Sequence, residues 1–198
     1  MPDTIRGKSL DLGCNNRPRN PYHYESLYGI DITPQIIEGV TCLQANLALE
    51  AIPFDDSYFD CVSAYDFIEH IPRQIFSLDT GKSRLPFVEL MNEIWRVLRP
   101  GGIFYAVTPV YPSPTVFQDP THVNFITKDS HQYFCGADPM ASMYGFTGRF
   151  EKLRAEIVSQ KTALTAEKSI AKSLYNLKKR ITAPDRLSHI LWELRAQK

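Results

Sequence analysis

Short apolar blocks recur along the chain, separated by turn-forming residues, and their order is regular. Residues 8–12, 27–31 and 40–45 predict three strands, with a turn or short helical segment over 33–38. The run "IPFDDSYFDCVSAYDFIEHI" predicts a turn at Asp55-Asp56 and a buried fourth strand over 59–64. A helix is then predicted from near Asp66 that takes in Glu69 and His70. Residues 85–98 predict a helix, because Phe87, Met91, Ile94 and Leu98 share one stripe and Pro86 suits its first turn. Pro100-Gly101-Gly102 is expected to end that helix before a fifth strand, "IFYAV". Residues 109–148 have no clean period and are expected to form a long substrate-side loop or lid. After them "FEKLRAEIVSQ" predicts a strand, and Ile170, Leu174, Leu177 and Ile181 a helical stripe. That helix is expected to stop at Pro184, with a last strand in "LSHILWELRAQK". Repeated strand–helix units of this kind predict an α/β fold around a mostly parallel, doubly wound sheet.

Composition narrows the class. The 198 residues fit a single domain, 1–198, of ordinary character: 43% hydrophobic and 22% charged. No apolar run is long enough to cross a membrane, and Met1 to Arg6 has no signal-peptide core. Cys14, Cys42, Cys61 and Cys135 are widely spaced, so no zinc site or other metal centre is expected; reduced thiols in a cytoplasmic protein are. The net charge is −6 over residues 1–150 and +6 over 151–198. That balance argues against a general nucleic-acid binder and suggests a basic, solvated face near an acidic body.

The stretch "LDLGCNNRPRNPYHYESLYGIDI" starts as a nucleotide-binding turn and then departs from one. A dinucleotide fingerprint needs three glycines opening a helix. Here the corresponding positions are Gly13, Asn15 and Pro18, and Pro18 with Pro21 leaves no room for a regular helix. A phosphate ligand therefore loses its usual support, and an adenosyl ligand without phosphates, S-adenosylmethionine, fits better. Gly13 allows close approach of backbone to ligand, and Asn15 tolerates a left-handed conformation. Asp31, eighteen residues past Gly13, is placed to accept from both ribose hydroxyls, and Asp11 to orient a cationic amino end.

These segments, with "IPFDDSYFDCVSAYDFIEHI" and "LMNEIWRVLRPGGIFYAVTP", resemble class I S-adenosylmethionine-dependent methyltransferases over about residues 8–109. "FQDPTHVNFIT" resembles members from bacterial polysaccharide and small-molecule pathways. The resemblance implies a Rossmann-like methyltransferase fold: a mostly parallel seven-stranded sheet with helices on both faces. It implies that Asp11, Gly13, Cys14 and Asn15 form the cofactor loop, that Asp31 binds the ribose, and that Ile32 lies beside the adenine. Asn46 and Leu47 fall near the adenine amino group, and Ala64 and Tyr65 flank the methionine part. The chain departs from the family at Asn15, at Asn46 and in lacking the first helix.

Methyl transfer needs alignment and, for a hydroxyl acceptor, a proton acceptor. His122 is the leading candidate base, with Asp119 fixing its tautomer; a loop-anchoring role is the alternative. His70, after Glu69, approaches the donor or serves packing. His131 reads as a surface or loop residue, and His23 sits in the cofactor loop. Tyr111, Phe117 and Tyr65 offer ring faces to the acceptor or the sulfonium, or pack the pocket. Asp66 contacts the acceptor or caps the following helix. The expected acceptor is a small molecule or saccharide, with no nucleic acid as partner and self-association left open. The competing readings are a non-catalytic methyltransferase-like binding protein and a methyltransferase acting on protein or RNA.

Overall fold

The computed structural model describes residues 4–78, 81–167, 169–183 and 187–198. Nine strands and two α-helices follow in order: β1 (Ile5–Leu12), β2 (Tyr24–Asp31), β3 (Val40–Gln44), β4 (Phe59–Tyr65), β5 (Ile75–Ser77), β6 (Lys82–Arg84), α1 (Pro86–Val97), β7 (Leu98–Pro109), β8 (Phe150–Val158), α2 (Ile170–Thr182) and β9 (His189–Ala196). Seven strands form one sheet in the order β3-β2-β1-β4-β7-β9-β8, and β5 pairs with β6 as a separate hairpin. All neighbours in the large sheet are parallel except β9, which runs against both β7 and β8. The order reverses between β1 and β4. Their carboxyl ends are therefore the crevice where open α/β sheets bind ligands.

One face of the sheet carries the larger core. Leu10, Leu12, Val62, Ala64, Phe104 and Ala106 alternate onto it and meet Leu90, Met91 and Ile94 of α1. The helix stripe expected over 85–98 is thus the buried face of α1. Each of the Leu, Val, Ile, Met and Phe side chains in this core contributes about 1.5–3 kcal/mol on burial. Pro100-Gly101-Gly102 does not stop α1; the helix ends at Val97, and the triplet lies inside β7. It forms an irregularity where Leu98 pairs with Phe59 but Ile103 already pairs with Cys61. Gly101 takes φ +77°, and a side chain on Gly102 would press on the Phe59 carbonyl, so the strand bulges without ending.

The other face holds Cys61, Tyr105, Val107 and Leu191. No helix lies between β1 and β2, as the prolines required. Segment 159–166 covers part of this face. The Ala166 amide donates to the Pro21 carbonyl at 2.8 Å, and the Tyr105 hydroxyl donates to the Ala163 carbonyl at 2.9 Å. Helix α2 lies on the same side, around a cavity of about 510 Å³ shared with Arg154, Val158 and Leu191. None of its residues is buried, and Ile170, Leu174, Leu177 and Ile181 are exposed. The stop expected at Pro184 lies outside the described residues.

The helix expected from Asp66 is absent. A single 3-10 turn, Ile68–His70, follows β4 and leads to the β5–β6 hairpin. Asp66 adopts φ +48° and Pro72 follows closely, which leaves one turn between them. Residues 109–148 hold three 3-10 turns, at Pro114–Phe117, Ser130–Phe134 and Met140–Tyr144. Val110, Ile126, Phe134, Ala141 and Phe146 anchor this segment in the main core.

Candidate functional site

The site begins where β1 and β4 end. Gly13 takes φ +68°, and a Cβ there would lie 2.5 Å from Phe67 Cδ2, so loop and post-β4 segment touch through a glycine. Asn15 takes φ +45°, the left-handed conformation foreseen for it. Each loop amide from 13 to 17 has an acceptor within the protein. Gly13 and Cys14 donate to the Ile30 carbonyl at 2.8 and 3.1 Å, and Arg17 to the Cys14 carbonyl at 3.2 Å. Asn15 donates to Asp31 Oδ2 at 2.8 Å and Asn16 to Asn15 Oδ1 at 2.7 Å. A phosphate cradle works by presenting unpaired amides, so this loop suits a ligand that has no phosphate to hold.

Asp11 lies beneath the loop and is buried. Its Oδ1 accepts from Ser63 Oγ at 2.6 Å and its Oδ2 from the Arg19 amide at 2.8 Å. Burial pushes its carboxyl up to about 7, against the lowering effect of those two hydrogen bonds. It pins the chain from Gly13 to Arg19 across the crevice. Asp31 is half-exposed at the end of β2. Its partial burial acts to raise its pKa, but amide bonds from Thr33 and Asn15 outweigh this and hold the carboxyl below the usual range. Its Oδ1 accepts from the Thr33 amide and hydroxyl at 3.0 and 2.9 Å, which leaves Oδ2 the less occupied oxygen.

The other candidate cofactor residues divide into two sets. Ile32 is exposed beside Asp31, and Asn46 is half-buried, with its Oδ1 accepting from the Ala48 amide at 3.1 Å. The side chains of Cys14, Leu47 and Ala64 point into the protein and are buried. Cys14 packs against Gly29, where an added Cβ would meet its sulfur at 2.6 Å. The Tyr65 hydroxyl donates to the Leu164 carbonyl at 3.1 Å, and Arg19 lies 5.5 Å from its ring.

A second group forms beside the crevice from three distant parts of the chain. Glu69 and His70 come from the 3-10 turn after β4, Thr108 from the end of β7, and His122 from segment 109–148. Glu69 is buried, and its Oε2 accepts from Thr108 Oγ1 at 2.7 Å. Its Oε1 has no hydrogen-bond partner among the described residues and lies 3.9 Å from His122 Nε2. Burial pushes its carboxyl up to about 8. The His70 and His122 rings meet edge to face, 4.8 Å between centroids. The backbone braces the group, since the Glu69 carbonyl accepts from the Val123 and Asn124 amides, each at 2.9 Å.

Asp119 does not orient His122. Its Oδ1 accepts from the Thr121 amide and hydroxyl at 2.8 and 2.6 Å, because the Asp-Pro-Thr turn folds the carboxylate back on its own loop. Thr121 Oγ1 then meets His70 Nδ1 at 2.9 Å, so Asp119 acts on His70 through Thr121. The Val116 carbonyl, 2.9 Å from His122 Nδ1, holds the His122 ring. Asp66 caps no helix: its Oδ1 lies 3.1 Å from His189 Nε2 and its Oδ2 accepts from Gln160. His131 is no surface residue either; it is buried against Trp192. Tyr111 and Phe117 are exposed at the rim, Phe117 against Phe125 at 5.1 Å. Sequence reasoning did not single out Thr108, Thr121, Ser63 or His189, and it weighed Glu69 only as a neighbour of His70. Adjacent Glu-His after a strand was the available signal.

Two cavities frame the region. One of about 380 Å³ shares Asn124 with the surroundings of Glu69 and is walled by Arg73, Leu85, Phe87, Tyr133 and Tyr144. A roomier one, about 670 Å³, opens beside Arg149, Phe150 and Gln197. Those residues lie at the start of β8 and the end of β9, the amino-end edge of the parallel strands. The carboxyl-end edge is where such sheets bind ligands, which sets the larger cavity apart from the site; the smaller one adjoins the Glu69 group through Asn124 but is not lined by Glu69, His70 or His122.

Fold and crevice together define an α/β protein with a ligand crevice at the reversal point of a seven-stranded sheet. Residues 10–106 match the family model described as methyltransferase domain. Among solved structures, a Mesorhizobium loti S-adenosylmethionine-dependent methyltransferase aligns with TM-score 0.58 at 13% identity, covering 98% of this chain and 93% of that one. A geranyl diphosphate methyltransferase in complex with S-adenosylmethionine aligns with TM-score 0.55 at 10% identity, covering 100% and 80%. The [4+2]-cyclase SpnF aligns with TM-score 0.56 at 18% identity, covering 98% and 76%. No curated protein matches the sequence. Residues 10–106 thus carry a methyltransferase domain, and the chain has the fold of the S-adenosylmethionine-dependent methyltransferases it aligns with. No helix among the described residues is long and apolar enough to cross a membrane.

Proposed function

We propose that the chain methylates a hydroxyl of a small, polyhydroxylated acceptor of saccharide type, and that Glu69, His70 and His122 form the acceptor end of the site. One observation carries this reading: a buried Glu69 oxygen with no partner among the described residues and two imidazole rings converge beside the crevice. A polyhydroxylated molecule, whose hydroxyls both donate and accept, supplies the missing partners. Phe67, which touches Gly13, is three residues from His70, so the group stands within about 11 Å of the cofactor loop along the chain. Segment 109–148 brings His122 and covers this side, and the cavity beside Asn124 has the size of a small-ligand pocket.

On this reading Asp31 accepts from the ribose hydroxyls, Asn15 and Ile32 border the adenosyl part, and Asp11 keeps the loop in place. S-adenosylmethionine supplies a methyl carbon already attached to a cationic sulfur leaving group. The protein's task is to align the acceptor oxygen and to favour loss of its proton as the carbon–oxygen bond forms. Tyr111 and Phe117 border the acceptor at the rim. The reading is tested by release of S-adenosylhomocysteine with a panel of monosaccharides and nucleotide sugars. His122→Ala should lower turnover by about 10²-fold or more while keeping the thermal shift given by S-adenosylhomocysteine. Unchanged turnover would remove the group from the acceptor end.

A further inference from the structure

The geometry points to a divalent transition-metal site formed by Glu69, His70 and His122. One nitrogen from each imidazole and one Glu69 oxygen lie within 4.8 Å of one another. The surrounding hydrogen bonds fix the protons. Thr121 Oγ1 gives its hydrogen to Asp119, so it accepts from His70 Nδ1–H. The Val116 carbonyl can only accept, so His122 carries its hydrogen on Nδ1. In both rings Nε2 is left as a lone pair, the state in which imidazole ligates a metal. Each opposite nitrogen is held by an oxygen in the manner usual for metal-bound histidines.

Glu69 Oε1 supplies the independent sign of a missing group. It is buried with no donor among the described residues, while Thr108 already occupies Oε2. Leaving such an oxygen unpaired is costly. The gap of 3.9 Å between Oε1 and His122 Nε2 exceeds hydrogen-bond length. Two metal–ligand bonds of about 2.1 Å reach about 3.4 Å at a tetrahedral angle, so this pair closes by roughly 0.5 Å, and the widest pair, at up to 4.8 Å, by roughly 1.4 Å.

Two imidazoles with one carboxylate favour Mn²⁺ to Zn²⁺ over Mg²⁺ or Ca²⁺, and three protein ligands leave coordination positions open. Resting on the acceptor reading above, those positions receive two neighbouring hydroxyls of the acceptor. The ion lowers the pKa of the bound hydroxyl, whose proton passes to solvent as its oxygen takes the methyl group. The imidazoles then serve as ligands and neither takes the proton.

The test uses the full chain stripped by chelator. Mn²⁺ is titrated and followed by loss of the free-ion paramagnetic resonance signal, with Zn²⁺ followed in parallel by calorimetry. One ion per chain is expected. Binding should weaken at least tenfold in His70→Ala, His122→Ala and Glu69→Gln, the last preserving shape and the Thr108 contact. Asp129→Asn, an exposed carboxylate outside the group, should bind as wild type does. A retained thermal shift with S-adenosylhomocysteine shows that each variant is folded. The inference is overturned if wild type takes up no more of either ion than the His70→Ala/His122→Ala double variant. Metal binding without methylation of any diol would sink the acceptor reading alone. Methylation that persists in chelator, with no bound ion, would sink the metal site alone.

Discussion

Replacing Gly13 with alanine tests whether the bend after β1 is built as described. Two costs follow from its surroundings. At φ +68° an L-residue is strained by about 1–2 kcal/mol. Its Cβ would stand 2.5 Å from Phe67 Cδ2, whereas carbon atoms rest at about 3.5–4.0 Å. The ring must retreat by about 1 Å, and overpacking of that kind costs about 1–3 kcal/mol. The sum, roughly 2–5 kcal/mol, lowers the melting temperature by roughly 5–15 °C in a chain of this size. Phe67 also leads directly into the turn that carries Glu69 and His70, so the shift produced by S-adenosylhomocysteine should shrink as well. Asn15→Gly is the control. It relieves a φ of +45° and loses only a bond to the neighbouring amide, so it should change stability by no more than about 1 kcal/mol. Scanning fluorimetry with and without the ligand reads both variants. A Gly13→Ala protein that melts within about 2 °C of wild type, ligand shift intact, would refute the described contact.

Three further outcomes are expected. S-adenosylhomocysteine at about 100 times its Kd should stabilise wild type by about 2.7 kcal/mol, roughly 5–10 °C, and Asp31→Ala should lose that shift; a full shift in the variant would exclude Asp31 as the ribose acid. Burial raises the Asp11 carboxyl to about 7, so its contribution to stability is fully present below its unfolded value near 4 and is lost as pH rises through about 7. Melting curves of Asp11→Asn should therefore fall less steeply than wild type between pH 5 and pH 8, and parallel curves would contradict the burial argument. Gly29→Ala should destabilise by about 1–3 kcal/mol because its Cβ meets Cys14 Sγ at 2.6 Å; adding Cys14→Ala should recover part of that loss, and strict additivity of the two changes would rule out the contact.

The strands of the sheet were legible because each is a short apolar block between turn signals. The absence of a first helix was legible because Pro18 and Pro21 cannot sit in one. The stripe of α1 was legible because its period of 3.6 survives burial. The failures share a cause. Asp66-Phe67-Ile68-Glu69-His70 has helix-compatible residues, but tertiary contacts settle its shape: the Asp66 amide is drawn to the Val107 carbonyl at 2.8 Å, and its carboxylate to His189. Asp119 was paired with His122 on proximity in sequence, whereas a short Asp side chain before Pro-Thr bonds its own turn first. Cysteine spacing, on which the expectation of no metal rests, carries no information about Glu69, His70 and His122, whose candidate ligand atoms the fold brings within 4.8 Å of one another.

The fold by itself decides little of the chemistry, since a [4+2]-cyclase aligns with this chain about as well as a methyltransferase does. What narrows it is where hydrogens are missing and where they are used up. On the cofactor side the loop amides are spent on Ile30, Cys14, Asn15 and Asp31, so an anionic phosphate finds no donors there. At the Glu69 group a buried polar atom is instead left over: Glu69 Oε1 has no partner among the described residues and stands beside the His70 and His122 rings. On the proposed reading the first end suits a phosphate-free adenosyl cation, and the second a ligand that brings positive charge or hydroxyl groups. Methyl transfer to a hydroxyl beside a bound cation would meet both demands once the three side chains close on the ion.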